Sequence, residues 1–188
     1  MIGDGIVENI ETKFVCPNTD SFHAIIQLAK DNDAKYVHTL YQKDLYYHTL
    51  NGRLKLRQWS DENGNSEAEL IGYLRRDDKE KRLSNYYILK IENAHMLNQI
   101  LSLTLTTDAI VEKERVLYIL ASTRIHFDKV LSLGLYIELE TVLPDAPSSS
   151  QRKKLLLEHE QVIDILNLGG FQTLSGSYQN LVNSSHRG

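Results

Sequence analysis

Five short segments of the chain alternate charged and apolar residues with the two-residue period of a β-strand. In 53–59, for example, Lys55 and Arg57 alternate with Leu54 and Leu56. Successive strand side chains point to opposite sides, so each segment has one charged and one apolar face. The segments are 7–15, 53–59, 69–75, 124–128 and 135–140, and 111–118 follows the pattern less regularly. Such strands restrict the chain to an antiparallel sheet or barrel whose apolar face is covered by helices.

Three segments have the spacing of helices and begin at residues that can cap a helix. They are 18–31, which begins near Asn18, 93–103, which begins near Asn93, and 150–168, which follows Pro147 and a run of serines. Residues 61–65 are rich in Asp, Asn and Gly, and residues 76–79 contain two aspartates. Both compositions predict hairpin turns, the first after the strand at 53–59 and the second after the strand at 69–75.

Composition narrows the class of protein. The 188 residues are 41% hydrophobic and carry a formal charge of −4, which argues against a general nucleic-acid or membrane-surface binder. One cysteine, Cys16, excludes an internal disulfide framework and a cysteine-rich zinc site, and favours a reducing compartment. The sequence shows no signal peptide and no apolar run long enough to span a bilayer. We therefore expect a complete cytoplasmic protein with a single domain over 1–188.

The charged faces allow two interpretations. A charged strand face is usually solvated, which is the simpler interpretation. However, like charges share a face in Glu138 with Glu140 and in Lys55 with Arg57, and an ordinary sheet gains nothing from their repulsion. Paired carboxylates suit a divalent cation, and paired basic residues suit a phosphate. A barrel with its charged face inward would bring both kinds of pair into one lumen.

Several short motifs follow one another along the chain and support the second interpretation. The first is Asn9-Ile10-Glu11-Thr12-Lys13, which is similar to an E-x-E-x-K signature with its first glutamate replaced. The others are 44–46, 52–57, 70–75, 82–86, 111–115, 124–128, 134–140 and 176–181. Taken in this order, they make the chain resemble the CYTH superfamily, the triphosphate tunnel metalloenzymes, named for class IV adenylyl cyclase and mammalian thiamine triphosphatase.

This resemblance implies an α+β fold, in which an eight-stranded antiparallel closed barrel has a charged lumen and flanking helices. A C-terminal helical segment, about 150–183, would pack on the barrel or close it. The resemblance also implies a small-molecule triphosphate substrate and a Mg²⁺ or Mn²⁺ cofactor. No nucleic-acid or membrane partner is expected, and the protein would be a monomer or a homodimer.

Residue roles carried over from the resemblance fall into three groups. Four acidic residues are expected to bind metal: Glu11, Asp128, Glu138 and Glu140. Eight basic residues are expected to bind phosphate: Lys13, Lys55, Arg57, Arg75, Lys90, Lys113, Arg115 and Arg124. The catalytic group is expected to comprise Glu11, Lys13, Arg57 and Lys113.

Three functions remain open at this stage. The preferred hypothesis is a metal-dependent hydrolase of inorganic tripolyphosphate or an organic triphosphate. The second is a class IV adenylyl cyclase, although residues 1–8 lack the His-Phe pair that precedes the signature strand in the cyclases of this class. The third is a non-catalytic binder of phosphorylated small molecules, because Asn9 replaces a carboxylate with a neutral amide.

Overall fold

The computed structural model describes residues 9–75, 84–144 and 146–185. Within these residues, eight strands form one antiparallel sheet: β1 (Asn9–Cys16), β2 (Lys35–Tyr47), β3 (Arg53–Asp61), β4 (Ser66–Arg75), β5 (Ser84–Lys90), β6 (Thr107–Leu120), β7 (Thr123–Val130) and β8 (Gly134–Val142). Their order across the sheet is β1-β8-β7-β6-β2-β3-β4-β5. Four helices flank it: α1 (Thr19–Asp31), α2 (Ala94–Ser102), α3 (Ser149–Ile165) and α4 (Tyr178–Ser185). The prediction of eight antiparallel strands with flanking helices is confirmed.

The two edges of the sheet are β1 and β5, so in the described part of the chain the hydrogen-bond ladder does not close into a complete circle. The edge of β1 is covered by the C-terminal part of the chain. The Val15 N–H donates to the Gln172 carbonyl at 2.9 Å, and the Leu174 N–H donates to the Lys13 carbonyl at 2.8 Å. The segment after α3 therefore satisfies polar groups that a closed ladder would otherwise pair.

The turn predicted at 61–65 joins β3 and β4, and Asp61 organises it. Its carboxylate accepts the backbone N–H groups of Asn63 and Asn65 at 2.9 and 2.8 Å. Gly64 has a φ of +84°, a backbone conformation that residues other than glycine rarely adopt. The turn predicted at 76–79 lies outside the described residues.

The three predicted helices begin at the capping residues that the sequence analysis indicated. Asn18, Asn93 and Ser148 each accept a hydrogen bond from a backbone N–H of the first turn of α1, α2 and α3. The third helix is shorter than the predicted 150–168, because Asn167 adopts a left-handed φ of 52°. A short 3₁₀ turn, Leu168–Gly170, follows. None of the described helices has the length and apolar character needed to cross a membrane.

The apolar strand faces form the core beneath the helices. Residues wholly removed from solvent include Ile125, Phe127, Ile137 and Leu139 of β7 and β8, which pack with α1 and α3 residues such as Phe22. A separate cluster places α2 over Leu45 and Leu56. Because alternation buries one face of each strand, the charged residues of the same strands must lie on the opposite face of the sheet.

One polar residue of α3 is buried within this apolar layer. His159, 2% exposed, has Nε2 2.9 Å from the Thr12 hydroxyl of β1 and Nδ1 2.9 Å from the Thr141 hydroxyl of β8. A neutral imidazole has one donor and one acceptor nitrogen, and each hydroxyl can supply the complementary role. Burial lowers the pKa of His159 to about 4, so the ring is neutral near pH 7.

This histidine predicts a loss of stability in mild acid. The pKa of His159 is lower in the folded chain than its usual 6.5. The neutral ring therefore contributes fully to the free energy of unfolding above pH 6.5, and this contribution declines as the pH falls towards 4. The full contribution is about 3 kcal/mol. Urea unfolding of the wild type and of His159→Gln, an uncharged side chain with a donor and an acceptor, should show a weaker pH dependence in the variant. Equal pH dependence of the two free energies of unfolding would contradict the assignment.

Candidate functional site

The charged face of the sheet surrounds a cavity of about 350 Å³. Seven of the described strands contribute side chains to it, together with the segment Gly176–Tyr178 before and at the start of α4. Its cationic lining residues are Lys13, Lys55, Arg57, Lys113 and Arg115, and its acidic lining residues are Glu11, Asp44, Glu138 and Glu140. The inward orientation predicted for the charged faces is therefore present in the structure.

Asp44 of β2 organises the cations of β3. Its Oδ1 accepts from Arg57 Nε at 2.7 Å, and its Oδ2 accepts from Arg57 Nη2 at 2.7 Å and Lys55 Nζ at 2.8 Å. Asp44 is 3% exposed, and burial alone would raise its pKa. The two adjacent cations instead hold the pKa of Asp44 well below its usual range. Asp44 is thus an ionised anchor, and the sequence analysis did not identify it as a site residue.

Asp128 of β7 has the same relation to the cations of β6. Its carboxylate accepts two bonds from Arg115 at 2.6 Å, one from Lys113 at 3.1 Å and one from the Tyr178 hydroxyl at 2.8 Å. The side chain is wholly buried and does not line the cavity. The structure therefore gives Asp128 a place behind the cations, in contrast to the expectation that it binds a metal, because basic and phenolic donors already surround its oxygens.

Glu138 of β8 lies between cations of two other strands. It pairs with Lys13 of β1 at 3.1 Å and with Arg115 of β6. Burial would raise the pKa of Glu138, but these two charges hold the pKa well below its usual range. Lys13 also lies 3.7 Å from a Glu11 oxygen, so one ammonium group connects both carboxylates.

The carboxylate of Glu140 is contacted by polar side chains of β1 and β7. Asn9 Nδ2 donates to Glu140 Oε1 at 2.6 Å, and Arg124 and His126 approach Oε2 at 3.2 and 3.4 Å. The amide oxygen of Asn9 is buried and has no hydrogen-bond partner among the described residues. An unpartnered oxygen beside Glu140, in a cavity that Glu11 also lines, is a position that a bound cation would satisfy.

Tyr178 at the start of α4 covers the cationic layer. Its ring centroid lies 4.4 Å from Lys13 Nζ and 5.0 Å from Lys113 Nζ, within cation–π distance. Arg53 holds the same segment from β3 by donating to the Ser177 hydroxyl at 2.7 Å and to the Asn180 side chain at 2.9 Å. The C-terminal segment therefore forms one wall of the cavity.

Burial also changes the lysines of the site. Burial, assisted by the charge of Arg57, lowers the pKa of Lys55 to about 8. Burial, assisted by Arg115, lowers the pKa of Lys113 to about 7. Both ammonium groups lose hydration inside the fold, and an incoming anion would restore a favourable environment for the charged form.

Eight of the predicted site residues line this one cavity: Glu11, Lys13, Lys55, Arg57, Lys113, Arg115, Glu138 and Glu140. Lys90 and Arg124 do not line it. Lys90 forms an exposed pair with Glu67 at 3.0 Å, and Arg124, also exposed, pairs with Glu140. Arg75 ends β4, and its side chain lies outside the described part of the structure.

The oxygen donors of the cavity fit a divalent cation that takes some of its ligands from the protein and the others from a phosphate. Among the described residues, no three His, Cys, Asp or Glu side chains are grouped as a complete metal cage. Mg²⁺ does not need one, since it usually keeps several waters and binds one or two carboxylates together with substrate phosphates. Glu11, Glu140 and the unpartnered Asn9 oxygen supply hard oxygen donors of this kind.

A larger groove of about 1,050 Å³ is lined by residues from both faces of the central strands and shares Lys113 with the smaller cavity. Its lining includes Lys43 with Glu112, and Lys129 with Glu114, which are strand positions that alternate with those of the lumen. These two pairs are already in contact, at 2.7 and 2.9 Å. The cationic residues that line the groove are Lys43, Lys113 and Lys129, against five in the smaller cavity.

Comparison with known proteins gives one family and several related folds. The model of the CYTH domain matches residues 8–164. A conserved hypothetical protein from Pyrococcus furiosus superimposes with a TM-score of 0.75 at 17% identity, over 93% of this chain and 99% of that protein. The PH1819 protein from Pyrococcus horikoshii OT3 gives 0.74 at 20% identity, over 94% and 99%. A candidate adenylate cyclase from Vibrio parahaemolyticus gives 0.65 at 16% identity, over 93% and 97%. At these identities the structures show a shared fold, and comparison with curated proteins gives no significant match.

Removing the charge of Asp44 should destabilise the chain in an anion-dependent way. Asp44→Asn leaves Lys55 and Arg57 buried without their carboxylate, and we expect a loss of about 3 kcal/mol in the free energy of unfolding. Inorganic tripolyphosphate should recover more stability in this variant than in the wild type, because the anion replaces the missing charge. Chemical denaturation with and without the anion measures both effects.

Glu112→Gln is the matched control for Asp44→Asn. Glu112 is a half-exposed carboxylate of the outer face, and its pair with Lys43 should contribute less than about 1 kcal/mol. Equal destabilisation of the two variants would contradict the anchoring role of Asp44.

Proposed function

The chain belongs to the CYTH domain family, and on that premise we propose that it is a metal-dependent phosphohydrolase that binds a triphosphate in its lumen. Proteins of this family act on triphosphate substrates. The observation that carries the proposal is the convergence of five basic side chains, from β1, β3 and β6, on one cavity of about 350 Å³. A barrel that bound an apolar ligand would line its cavity with apolar groups instead.

The basic residues suit a chain of phosphates. Arg57 and Arg115 offer planar guanidinium groups that can bind two phosphate oxygens at once, while Lys13, Lys55 and Lys113 act as point charges. Asp44 binds Lys55 and Arg57, and Asp128 binds Lys113 and Arg115, so four of these cations are fixed in position before the substrate arrives. Preorganised charge of this kind is the main contribution that a protein makes to phosphoryl transfer.

Charge balance supports a metal requirement. The five lining cations face four lining carboxylates, and Asp128 behind them is a fifth, so the site carries no surplus positive charge. A triphosphate has several negative charges, and a dry cavity stabilises them only if further cations enter with it. Mg²⁺ or Mn²⁺ bound by Glu11, Glu140 and Asn9 would supply that charge, and Glu138 lies within the same group of carboxylates. When bound, the ion would polarise phosphate oxygens and neutralise the charge that develops on them.

The roles of the catalytic group follow from these positions. Lys13 and Lys113 hold phosphate oxygens under the ring of Tyr178, which keeps water away from the lysines. Arg57 fixes one end of the phosphate chain, with its own orientation set by Asp44. Glu11, which lies 3.7 Å from Lys13, would hold the cation and supply a carboxylate ligand to it beside the phosphate-binding lysine.

We expect Glu138→Gln to lose metal-dependent turnover. The amide keeps the shape of Glu138 but removes the charge that compensates Lys13 and Arg115, and the rate should fall at least about a hundredfold. Purified protein is incubated with tripolyphosphate or ATP and with Mg²⁺ or Mn²⁺, and phosphate, pyrophosphate and cyclic AMP are resolved. Chelation of the metal should abolish phosphate release by the wild type.

The matched control is Glu114→Gln, which removes an outer-face carboxylate that pairs with Lys129 and should leave the rate unchanged. Full activity of Glu138→Gln would remove its proposed role. Cyclic AMP with pyrophosphate would identify a cyclase instead of a hydrolase, and tight binding without products would identify a non-catalytic binder.

Asn9→Glu should strengthen metal binding. The new carboxylate would lie beside Glu140, where the Asn9 amide now donates its hydrogen bond, and their repulsion would be relieved by a divalent cation. We expect the dissociation constant for Mn²⁺ to fall about tenfold. Titration followed by electron paramagnetic resonance measures the free ion directly.

Asn9→Gln is the control for this change, because it lengthens the side chain without adding charge. Unchanged Mn²⁺ affinity in Asn9→Glu would mean that this position lies outside the metal site.

A further inference from the structure

A chain of hydrogen bonds connects three strands on the outer side of the sheet, opposite the lumen. His159 of α3 lies at its centre, with Nε2 2.9 Å from the Thr12 hydroxyl of β1 and Nδ1 2.9 Å from the Thr141 hydroxyl of β8. The Thr141 hydroxyl also lies 2.7 Å from the hydroxyl of Thr123 on β7. Solvent reaches at most 2% of the surface of Thr123, Thr141 and His159. One residue of a helix thus links β1, β8 and β7.

Each of these threonines is next in sequence to a charged residue of the opposite face. The neighbouring pairs are Glu11 with Thr12, Arg124 with Thr123, and Glu140 with Thr141. Adjacent side chains of a strand point to opposite faces, and their Cα atoms are about 3.8 Å apart. A bond that fixes a threonine on the outer side therefore also fixes the backbone from which the charged neighbour projects on the inner side.

The strand register gives this connection its effect at Glu11 and Glu140. These two residues are directly opposite each other across β1 and β8, an arrangement in which like charges repel. Thr12 and Thr141 each lie one residue further along their own strand, so His159 bridges the two strands behind the pair of carboxylates. The bridge opposes the separation that the repulsion favours.

Strand β1 depends on such a bridge because it is an edge strand. The segment after α3 bonds to Lys13 and Val15, which lie beyond Glu11 in the strand. At the Glu11 end, β1 pairs with β8, and α3 reaches it through His159. An edge strand with opposed like charges opens easily at that end unless another element holds it.

The chemistry of this cluster suits positioning more than stability. Hydrogen bonds between neutral groups add little net stability, and apolar groups of the same shape can replace them at low cost. Hydrogen bonds are directional, whereas apolar contacts are not. A paired polar cluster therefore fixes the relative position of two strands more closely than an apolar contact would.

We propose that His159 is a positioning residue, which holds β1 and β8 at the spacing that lets Glu11 and Glu140 bind one divalent cation. The hydroxyls of Thr12 and Thr141 transmit its effect through the backbone of the two strands. This inference rests on the proposed function, because it takes the metal site from there.

The test measures metal binding in the absence of substrate. Titration of the full chain with Mn²⁺ near pH 7.5, where the imidazole is neutral, gives the dissociation constant by electron paramagnetic resonance. His159→Leu breaks both bonds of the ring, and Thr141→Val removes one hydroxyl while it keeps the shape of the side chain. We expect either change to raise the dissociation constant about tenfold, the lower end of the effect of residues that support metal ligands. Thr141→Val alone carries the test if His159→Leu does not fold.

The double variant separates one shared connection from two independent defects. Because both changes break the same chain of bonds, His159→Leu combined with Thr141→Val should bind Mn²⁺ at most about twofold more weakly than the weaker single variant. Independent defects would add in free energy, so a loss of about a hundredfold would overturn the inference.

Val162→Ala is the matched control for lost stability. Val162 lies about one turn after His159 on α3, is 2% exposed and packs in the apolar core. Its truncation should lower the free energy of unfolding and leave the Mn²⁺ dissociation constant unchanged. If Val162→Ala weakens Mn²⁺ binding as much as Thr141→Val does, the effect is one of general stability and the inference is wrong.

A failure of the proposed function gives a different result. Glu11→Gln and Glu140→Gln each remove a carboxylate of the proposed metal site and should weaken Mn²⁺ binding at least about tenfold. If neither does, the metal binds elsewhere and the proposed site is wrong. If both do, but His159→Leu and Thr141→Val leave the dissociation constant unchanged, only the positioning role is wrong.

Discussion

The structure depends on the neutralisation of buried cations by two buried carboxylates. Charged groups are costly to remove from water, and an unpaired charge inside a fold destabilises it by several kcal/mol. Asp44 binds Lys55 and Arg57, and Asp128 binds Lys113 and Arg115. These pairs allow a barrel to keep a charged lumen while its apolar face packs under helices. They also hold the cations at fixed positions, which an isolated lysine or arginine on a flexible stem would not maintain.

The inside-out arrangement could be predicted because a strand separates its residues by parity. In β3, for example, Leu56 is wholly buried in the outer core while Lys55 and Arg57 face the lumen. The alternation alone did not predict a ligand. That prediction came from the like charges on one strand face, which suit a ligand bound between them. The starts of α1, α2 and α3 were also predictable, because Asn18, Asn93 and Ser148 act through local hydrogen bonds that need no tertiary contact.

Other features depend on contacts that no local pattern records. The sequence analysis quoted Asp44 within a motif but gave it no role, because neither its burial nor its two cationic partners is visible along the chain. Asp128 and Glu138 look alike in sequence, yet Asp128 lies behind the cations and Glu138 faces the cavity. The irregular pattern of 111–118 has a structural reason as well: Glu112 and Glu114 lie at an exposed part of the outer face, so both faces of β6 carry charge there.

The pairing of β1 with β8 has a kinetic consequence. Asn9 and Glu140 are in contact although 131 positions separate them, and Lys13 also meets Tyr178 of the last described helix. Contacts between distant positions require a large loss of chain entropy before they return any stabilisation, so topologies rich in them fold slowly. The ionic lumen needs β1, β6, β8 and α4 at the same time. It therefore becomes complete only after the most distant parts of the described chain have met, and partly folded molecules contain its cations without the geometry to hold a ligand.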